Sequence, residues 1–300
     1  VEFYKIISPK ATFFIKNEIW PNFIKHAKMS GSKLYSVGGN FSSNYLKKLF
    51  KINSAIKEFD LIFVLNESSK KIVEYIGNQN VIVIGDLRYD TIIPKLKNKT
   101  NKIIERFIDD NNCIVFGSTW KEDENIIIKY LNNYKGNTKH IIAPHEIVKN
   151  PERIKKYLGS KSILFSKINS DTDLKELSCL IIDNIGMLSS LYSYGTIAYV
   201  GGGMGTKGLH NILEPAYFSK PIIIGKNYRG FDEAEKMIEN GNVISISNYS
   251  DFTNALELII NNKNIINEMS NKCTEFFQKN KGGVKLILNK LQWNLKDNII

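Results

Sequence analysis

The sequence predicts an α/β protein in which parallel sheets form two domains. The prediction starts from many short apolar runs that are rich in Ile and Val. These runs lack the alternation of apolar and polar residues that marks half-exposed strands, so they fit strands buried on both faces. Amphipathic stretches separate them, and this order is typical of parallel sheets covered by helices. A chain of 300 residues is also long for a single core, which favours two domains.

Each apolar run predicts one strand, and the amphipathic stretches between them predict helices. The predicted strands are Ala11–Ile15, Lys33–Val37, Leu61–Leu65, Val81–Ile84, Cys113–Phe116, His140–Ala143, Ser162–Phe165, Cys179–Ile182, Ile197–Val200, Pro221–Ile224 and Val243–Ile246. The predicted helices include Trp20–Met29, Glu67–Gly77, Glu122–Asn132, Gly186–Tyr194, Phe231–Glu239 and Phe252–Asn261.

A lysine-rich stretch without a predicted strand, at Thr91–Thr100, marks the expected domain boundary. We expect residues 1–95 to form the remainder of an N-terminal domain and residues 96–300 to form a C-terminal domain. The first part holds four of the predicted strands, fewer than a whole doubly wound half has, so this domain is expected to be incomplete. The second part shows a complete Rossmann-like pattern to about Asn261, followed by a helical pattern from Lys263 onward.

The composition favours anionic partners. The formal net charge is +11, which suits nucleotides, phosphorylated lipids or a membrane surface. The lysines are scattered and no platform of basic and aromatic residues is evident, so no nucleic-acid partner is expected. The three cysteines lie far apart, without CxxC pairs or Cys/His clusters. They therefore predict neither disulfides nor a metal site, and their pattern is typical of a protein in a reducing compartment. No apolar run approaches the ~20 residues of a membrane span.

The most informative motif lies at residues 197–215, where an apolar strand stops at Gly201–Gly203 and a loop carries Lys207 to a helix start at Asn211. Glycines let backbone N–H groups approach a ligand closely. Free N–H groups at a helix start favour a phosphate. A carboxylate at Glu214 could accept hydrogen bonds from two ribose hydroxyls. The motif therefore suits a nucleotide.

A purely structural interpretation of the same motif remains open. Asn211 and Glu214 have the spacing of a capping box, in which both side chains satisfy backbone groups of the helix itself. Glycines after a strand also occur only to make the turn. The motif alone does not decide between the two interpretations.

Other candidate residues also follow predicted strands. The turn Asn184–Met187 and His145 lie at strand carboxyl ends, where open α/β sheets bind ligands. His145 and His210 suit a phosphodiester partner as donor or cation, or are ordinary loop histidines. Glu18 directly follows a strand, so it is a candidate catalytic carboxylate, or it stabilises the first turn of the next helix.

Several segments together resemble the 3-deoxy-D-manno-octulosonic acid (Kdo) transferase family. Their residues are most similar to its Bacteroidetes-like branch. Their order and spacing carry the resemblance across nearly the whole chain. The segments are Asn17–Asn22, Gly85–Asp90, Gly117–Trp120, Ala143–Glu146, Ile185–Met187 with Leu191–Tyr192, and Gly201–Gly203 with His210–Glu214.

The resemblance implies a GT-B fold of two Rossmann-like domains, with CMP-Kdo as donor and a lipid A precursor as acceptor. It also implies action at the cytoplasmic face of the inner membrane. Lys207 is our addition, as a partner for the phosphate or the sugar carboxylate. Most family members have an Arg beside the histidine of the corresponding motif. This chain has Pro144, His145 and Glu146 at that place, without the Arg. The predicted donor residues are Pro144, His145, Ile185, Gly186, Met187, Gly202, Gly203, Lys207, His210, Asn211, Ile212, Leu213 and Glu214.

For catalysis, the resemblance implies a general-base glutamate and a membrane-associating segment that would both precede Val1. Glu18 matches a second acidic position of the family and is the catalytic candidate in this chain. The predicted reaction is an inverting transfer without a metal or other cofactor. Two alternatives remain: another GT-B nucleotide-sugar enzyme, such as a UDP-sugar transferase or epimerase, or a non-catalytic protein that binds anionic lipid.

Overall fold

The structure is a computed structural model that describes residues 2–42, 50–96 and 100–292. Each predicted strand is confirmed within these residues, and so is the α/β class. The strands are β1 (Ala11–Ile15), β2 (Lys33–Gly39), β3 (Leu61–Val64), β4 (Val81–Val83), β5 (Cys113–Thr119), β6 (Lys139–Pro144), β7 (Ser162–Leu164), β8 (Cys179–Ile181), β9 (Ile197–Val200), β10 (Ile222–Gly225) and β11 (Val243–Ile246).

The helices alternate with these strands, as the amphipathic stretches predict. They are α1 (Glu2–Ile7), α2 (Pro21–Met29), α3 (Phe50–Lys57), α4 (Glu67–Ile76), α5 (Arg88–Leu96), α6 (Lys102–Ile108), α7 (Lys121–Asn133), α8 (Asn150–Leu158), α9 (Leu188–Leu191), α10 (Leu213–Tyr217), α11 (Asp232–Glu239), α12 (Tyr249–Ile260), α13 (Lys263–Asn280) and α14 (Gly283–Leu291).

The chain divides into two compact units: a first unit of residues 1–91 with 280–300, and a second unit of residues 92–279. This division differs from the expected one, which gave the C-terminal helix to the second domain. The physical reason lies in α14, where Ile287 is buried in a core cluster with Val37, Phe63 and Ile84 of the first unit. Residues 97–99 of the predicted boundary lie outside the described residues.

The first unit holds a four-stranded parallel sheet in the order β1-β2-β3-β4. Asp90 of α5 connects that helix to the start of α14. Its carboxylate accepts hydrogen bonds from the backbone N–H groups of Gly282 (2.8 Å) and Val284 (3.2 Å). An acid that accepts from the first turn of a helix stabilises that helix start. The returning chain is thus held by burial and by hydrogen bonds.

The second unit holds a seven-stranded parallel sheet in the order β11-β10-β9-β5-β6-β8-β7. The chain leaves β5 toward β6 on one side, and later returns to place β9 on the other side of β5. Ligands of open α/β sheets bind at the carboxyl ends of strands where the strand order reverses in this way. The turns after β5 and β9 are therefore the expected place for a site.

A neutral histidine lies in the core of this sheet. His140 on β6 is fully buried, and its Nδ1–H donates to the Ser178 carbonyl oxygen at 3.2 Å. Its Nε2 has no hydrogen-bond partner among the described residues. The rings of Phe116 and Tyr134 lie beside it. Burial lowers the pKa of His140 to about 4, from an ordinary value of 6.5.

We expect His140 to make the free energy of unfolding depend on pH. Between pH 6.5 and 4 the unfolded chain binds a proton at this histidine and the folded chain does not, so stability falls as the pH falls through this window. The loss at the acid end is roughly 3 kcal/mol. Urea denaturation between pH 7 and 4.5 should give a shallower pH dependence for His140→Phe. His26→Asn is the control, and an unchanged slope in His140→Phe would contradict the assignment.

Candidate functional site

A cavity of about 340 Å³ opens at the carboxyl edge of the second unit's sheet. Its walls come from the end of β5, from the turn and short helix that follow β8, and from the loop and helix start that follow β9. It contains four of the predicted donor residues, and the other four positions were not predicted as binding residues. The lining residues are Ser118, Gly186, Leu188, Ser189, Tyr192, His210, Asn211 and Glu214.

Asn211 shapes the turn that leads into α10. Its Oδ1 accepts from the backbone N–H of Leu213 at 3.1 Å, and its Nδ2 lies 3.5 Å from Glu214 Oε1. The residue before the helix is Ile212, so Asn211 stands one position earlier than a capping box requires. Asn211 is exposed and Glu214 is half-buried at the cavity. The structure therefore leaves both side chains facing a space that a ligand can enter.

The glycines of the loop after β9 serve close backbone packing. Gly202 has φ +93°, and a Cβ there would stand 2.1 Å from the Gly208 carbonyl oxygen. A Cβ on Gly225, at the end of β10, would stand 2.2 Å from the carbonyl carbon of Gly203. Two backbone segments thus meet where no side chain fits. Gly202 and Gly203 are buried in this packing and do not line the cavity.

A buried carboxylate that sequence reasoning missed fastens this loop to α7. Asp123 is fully buried, and its Oδ2 accepts from the backbone N–H groups of Trp120 and Gly202, both at 2.9 Å. Its Oδ1 accepts from the Tyr199 hydroxyl at 2.7 Å. An acid three residues after a helix N-cap is a signal that could have found the bond to Trp120, but not the other two.

Trp120 was not predicted as a binding residue, but it contacts three of the predicted donor residues. The His145 ring stacks on the rings of Trp120 and His210, with centroids 4.5 Å apart in both pairs. Trp120 Nε1–H donates to His210 Nε2 at 2.8 Å. The Lys207 ammonium lies 5.0 Å from the centre of the Trp120 ring. Pro144 ends β6 and is buried, and the next residue, His145, is exposed.

The remaining predicted donor residues lie next to the cavity rather than on its surface. Ile185 is exposed, and Met187 begins α9 by accepting a hydrogen bond from Ser190 N–H through its carbonyl oxygen. Ile212 and Leu213 are buried beneath the turn. Met187 thus contributes its backbone to the turn, and Ile212 and Leu213 contribute packing.

In the first unit, Glu18 lines a larger cavity of about 660 Å³. Its Oε2 accepts from Trp20 Nε1 at 2.9 Å, which orients the exposed carboxylate. Helix α2 begins at Pro21 and has no acid in its first turn, so Glu18 does not serve that helix start. The lining residues are Ile15, Lys16, Asn17, Glu18, Val37, Gly38, Asn40, Leu65, Asp86, Leu87, Arg88 and Thr91.

The described residues contain neither a membrane-spanning helix nor a metal-binding cluster. In residues 2–42, 50–96 and 100–292, no helix is both long and apolar enough to cross a bilayer. The same residues contain no group of three or more His, Cys, Asp or Glu side chains placed to hold a metal ion.

Comparison with solved structures defines the class of fold. A UDP-N-acetylglucosamine 2-epimerase matches over 98% of this chain and 76% of its own, with a TM-score of 0.64 at 11% identity. The C-terminal CMP-Kdo binding domain of WaaA from Acinetobacter baumannii matches over 64% of this chain and all of its own, with a TM-score of 0.52 at 17% identity. At such identities the likeness concerns the fold, which is GT-B-like.

Sequence comparison shows similarity to one family. Residues 1–91 match the family model for 3-deoxy-D-manno-octulosonic-acid transferase. The 3-deoxy-D-manno-octulosonic acid transferase of Rickettsia prowazekii is 30% identical over 279 residues, which cover 88% of this chain and 59% of that protein. The chain is similar in sequence to Kdo transferases over most of its length, in agreement with the resemblance. It spans 44% to 59% of the length of the first three curated relatives it matches.

Proposed function

We propose that the chain binds CMP-Kdo in the cavity of the second unit and takes part in transferring Kdo to a lipid A precursor. One observation carries the proposal: Gly186, His210, Asn211 and Glu214 share one cavity at the point where the strand order reverses. The sequence similarity to Kdo transferases supports this choice of donor and acceptor. Because the chain matches only part of its curated relatives, the activity of a whole transferase is part of the proposal.

The side chains of the cavity suit a nucleoside monophosphate. Glu214 supplies a carboxylate that can accept hydrogen bonds from two ribose hydroxyls. The hydroxyls of Ser118 and Ser189 and the amide of Asn211 add neutral donors. His210 supplies an imidazole, and Lys207 is held nearby against Trp120. A few polar groups converging in a small concave space is the usual character of such sites.

We propose an inverting displacement. A carboxylate removes the proton from an acceptor hydroxyl, with Glu18 as the candidate within this chain, and that oxygen forms a bond to the anomeric carbon of Kdo. The bond from this carbon to the phosphate oxygen breaks, and CMP leaves with the electron pair. Hydrogen-bond donors of the second unit's cavity stabilise the growing charge on the phosphate, and we propose no metal or other cofactor in this step.

The proposed place of action is the cytoplasmic face of the inner membrane, where a lipid A precursor presents its head group. The net charge of +11 favours peripheral attachment to an anionic lipid surface. Attachment of this kind should weaken as the salt concentration rises.

We expect Glu214→Gln to weaken CMP binding at least ~10-fold, since it removes a charged acceptor of ribose hydrogen bonds. Isothermal titration calorimetry with CMP would measure the change. Glu239→Gln is the matched control, because Glu239 is an exposed residue of α11 in the same unit. Equal affinities of the two variants would remove Glu214 from the site.

The same titration separates the alternatives. Tighter binding of UDP than of CMP would contradict the proposal and favour another nucleotide-sugar enzyme of the same fold. Binding to anionic vesicles with no detectable CMP binding would instead favour a non-catalytic lipid-binding protein. Radiolabel transfer from CMP-Kdo to a lipid A precursor would support the full proposal.

A further inference from the structure

Trp120 and His210 form a hydrogen-bonded pair of aromatic rings. Their rings are nearly parallel, with an interplanar angle of 9°, and their centroids are 6.2 Å apart. The two rings therefore meet edge to edge, and the hydrogen bond from Trp120 Nε1 to His210 Nε2 joins these edges at 2.8 Å. His145 stacks across both rings. His210 also lines the cavity, whereas Trp120 does not.

The chemistry of the indole fixes the state of this histidine. An indole N–H can only donate, so Nε2 of His210 must offer a lone pair. A neutral imidazole with a lone pair on Nε2 carries its proton on Nδ1. An imidazolium has protons on both nitrogens and cannot accept. Protonation of His210 therefore requires the bond from Trp120 to break.

The surroundings of His210, and burial above all, favour the same neutral state. Burial lowers the pKa of His210, the nearby His145 lowers it further, and the Asp123 carboxylate acts in the opposite direction. Glu214 lies on the wall of the same cavity, and the ammonium of Lys207 lies over Trp120. Tyr192, another wall residue, stays a neutral phenol because burial raises its pKa well above 10.

We infer that Trp120 is a positioning residue that holds His210 as the neutral imidazole protonated on Nδ1. The cavity then offers an anionic ligand one neutral hydrogen-bond donor from this ring, in a fixed orientation, rather than a cation. The tautomer and orientation follow from contacts within the free protein. Only the choice of CMP as the ligand rests on the proposed function.

The first test reads the tautomer directly in the free protein. Long-range ¹⁵N–¹H NMR spectra of the histidine rings at pH 7 should show His210 protonated on Nδ1 alone, with its signals assigned by comparison with His210→Gln. A ring protonated on Nε2, or on both nitrogens, would overturn the inference. This measurement on the unsubstituted protein stands even if the Trp120 variants fail to fold.

The second test uses Trp120→Phe, which keeps an aromatic ring beside His145 and removes the N–H donor. We expect a mixture of His210 tautomers and a higher His210 pKa than in the unsubstituted protein. The dissociation constant for CMP should rise about five-fold at pH 8 and recover toward pH 6, where the freed ring becomes charged. Tyr157→Phe, on the exposed side of α8, should change none of these values.

The outcomes separate the two proposals. An unchanged His210 tautomer and pKa in Trp120→Phe would overturn the positioning role, whatever CMP does. The expected NMR result together with no CMP binding would keep the positioning role and contradict the proposed donor. Loss of CMP affinity that is equal at pH 6 and pH 8, with an unchanged NMR signature, would assign Trp120 a packing role only.

Discussion

Replacing Glu18 with Gln should lower the rate of Kdo transfer about 100- to 10,000-fold, the usual contribution of a general base. The amide keeps the size of the side chain and can still accept from Trp20 Nε1, but it cannot take up a proton near neutral pH. Single-turnover transfer from saturating CMP-Kdo to a lipid A precursor would measure the rate. The dissociation constant for CMP should stay the same, because Glu18 and the residues proposed to bind CMP belong to different units.

Glu58→Gln is the matched control for this experiment, since Glu58 is an exposed acid of the same unit. It should transfer Kdo at the unsubstituted rate. A Glu18→Gln rate within a few-fold of that value would mean that another carboxylate removes the proton. The proposal for Glu18 would then fail, while the donor site would be unaffected.

Replacing Asp123 with Ala should lower the free energy of unfolding by about 4 kcal/mol, because three donors, two of them in buried bonds, lose a charged acceptor at once. Two of these donors are the backbone N–H groups of Trp120 and Gly202, and the third is the Tyr199 hydroxyl. Equilibrium denaturation in urea would measure the loss.

Asp123→Asn provides the discriminating comparison. Its amide oxygen can accept from the two backbone N–H groups while its NH₂ donates to the Tyr199 oxygen, so at least half of the lost stability should return. Asp171→Ala, at an exposed acid of the same unit, should change stability little. Equal losses for the Ala and Asn variants at position 123 would show that hydrogen bonding is not the cause.

The strands were predictable because parallel strands buried on both faces need unbroken apolar runs. Ile222–Ile224 is such a run, and all of its side chains are buried. The start of α7 was predicted within one residue, at Glu122 against Lys121, but the bonds of Asp123 to Tyr199 and Gly202 were not predictable because these partners lie far away in the chain. Propensity and local patterns carry no information about such partners.

The candidate site was predictable in part, from strand ends and from the family resemblance. Those signals placed His210 and Glu214 correctly at strand-to-helix turns, and the structure brings them into one cavity. They marked Trp120 only as the end of the Gly117–Trp120 segment and did not reveal its bond to His210, which lies 90 positions later in the chain. This pair exists only because β9 lies beside β5, and the order of strands in a sheet is not written in either segment.

The glycines illustrate a further limit of sequence reasoning. Gly202 and Gly203 suggested backbone N–H groups left free for a phosphate, but the structure uses both for packing against other backbone. Glycine is required in either case, so its presence could not distinguish a ligand from a neighbouring loop. The phosphate-binding role of the two residues stays a prediction.

The route of the chain has a consequence for synthesis on the ribosome. The first unit is interrupted after residue 91 and resumes at residue 280, so its core lacks Ile287 while the whole second unit is being made. At about 5–20 residues per second this interval lasts roughly 10–40 s. During this interval the nascent chain exposes the apolar side chains that Ile287 later covers, those of Val37, Phe63 and Ile84. Slow translation should therefore promote aggregation, and a holding chaperone should suppress it.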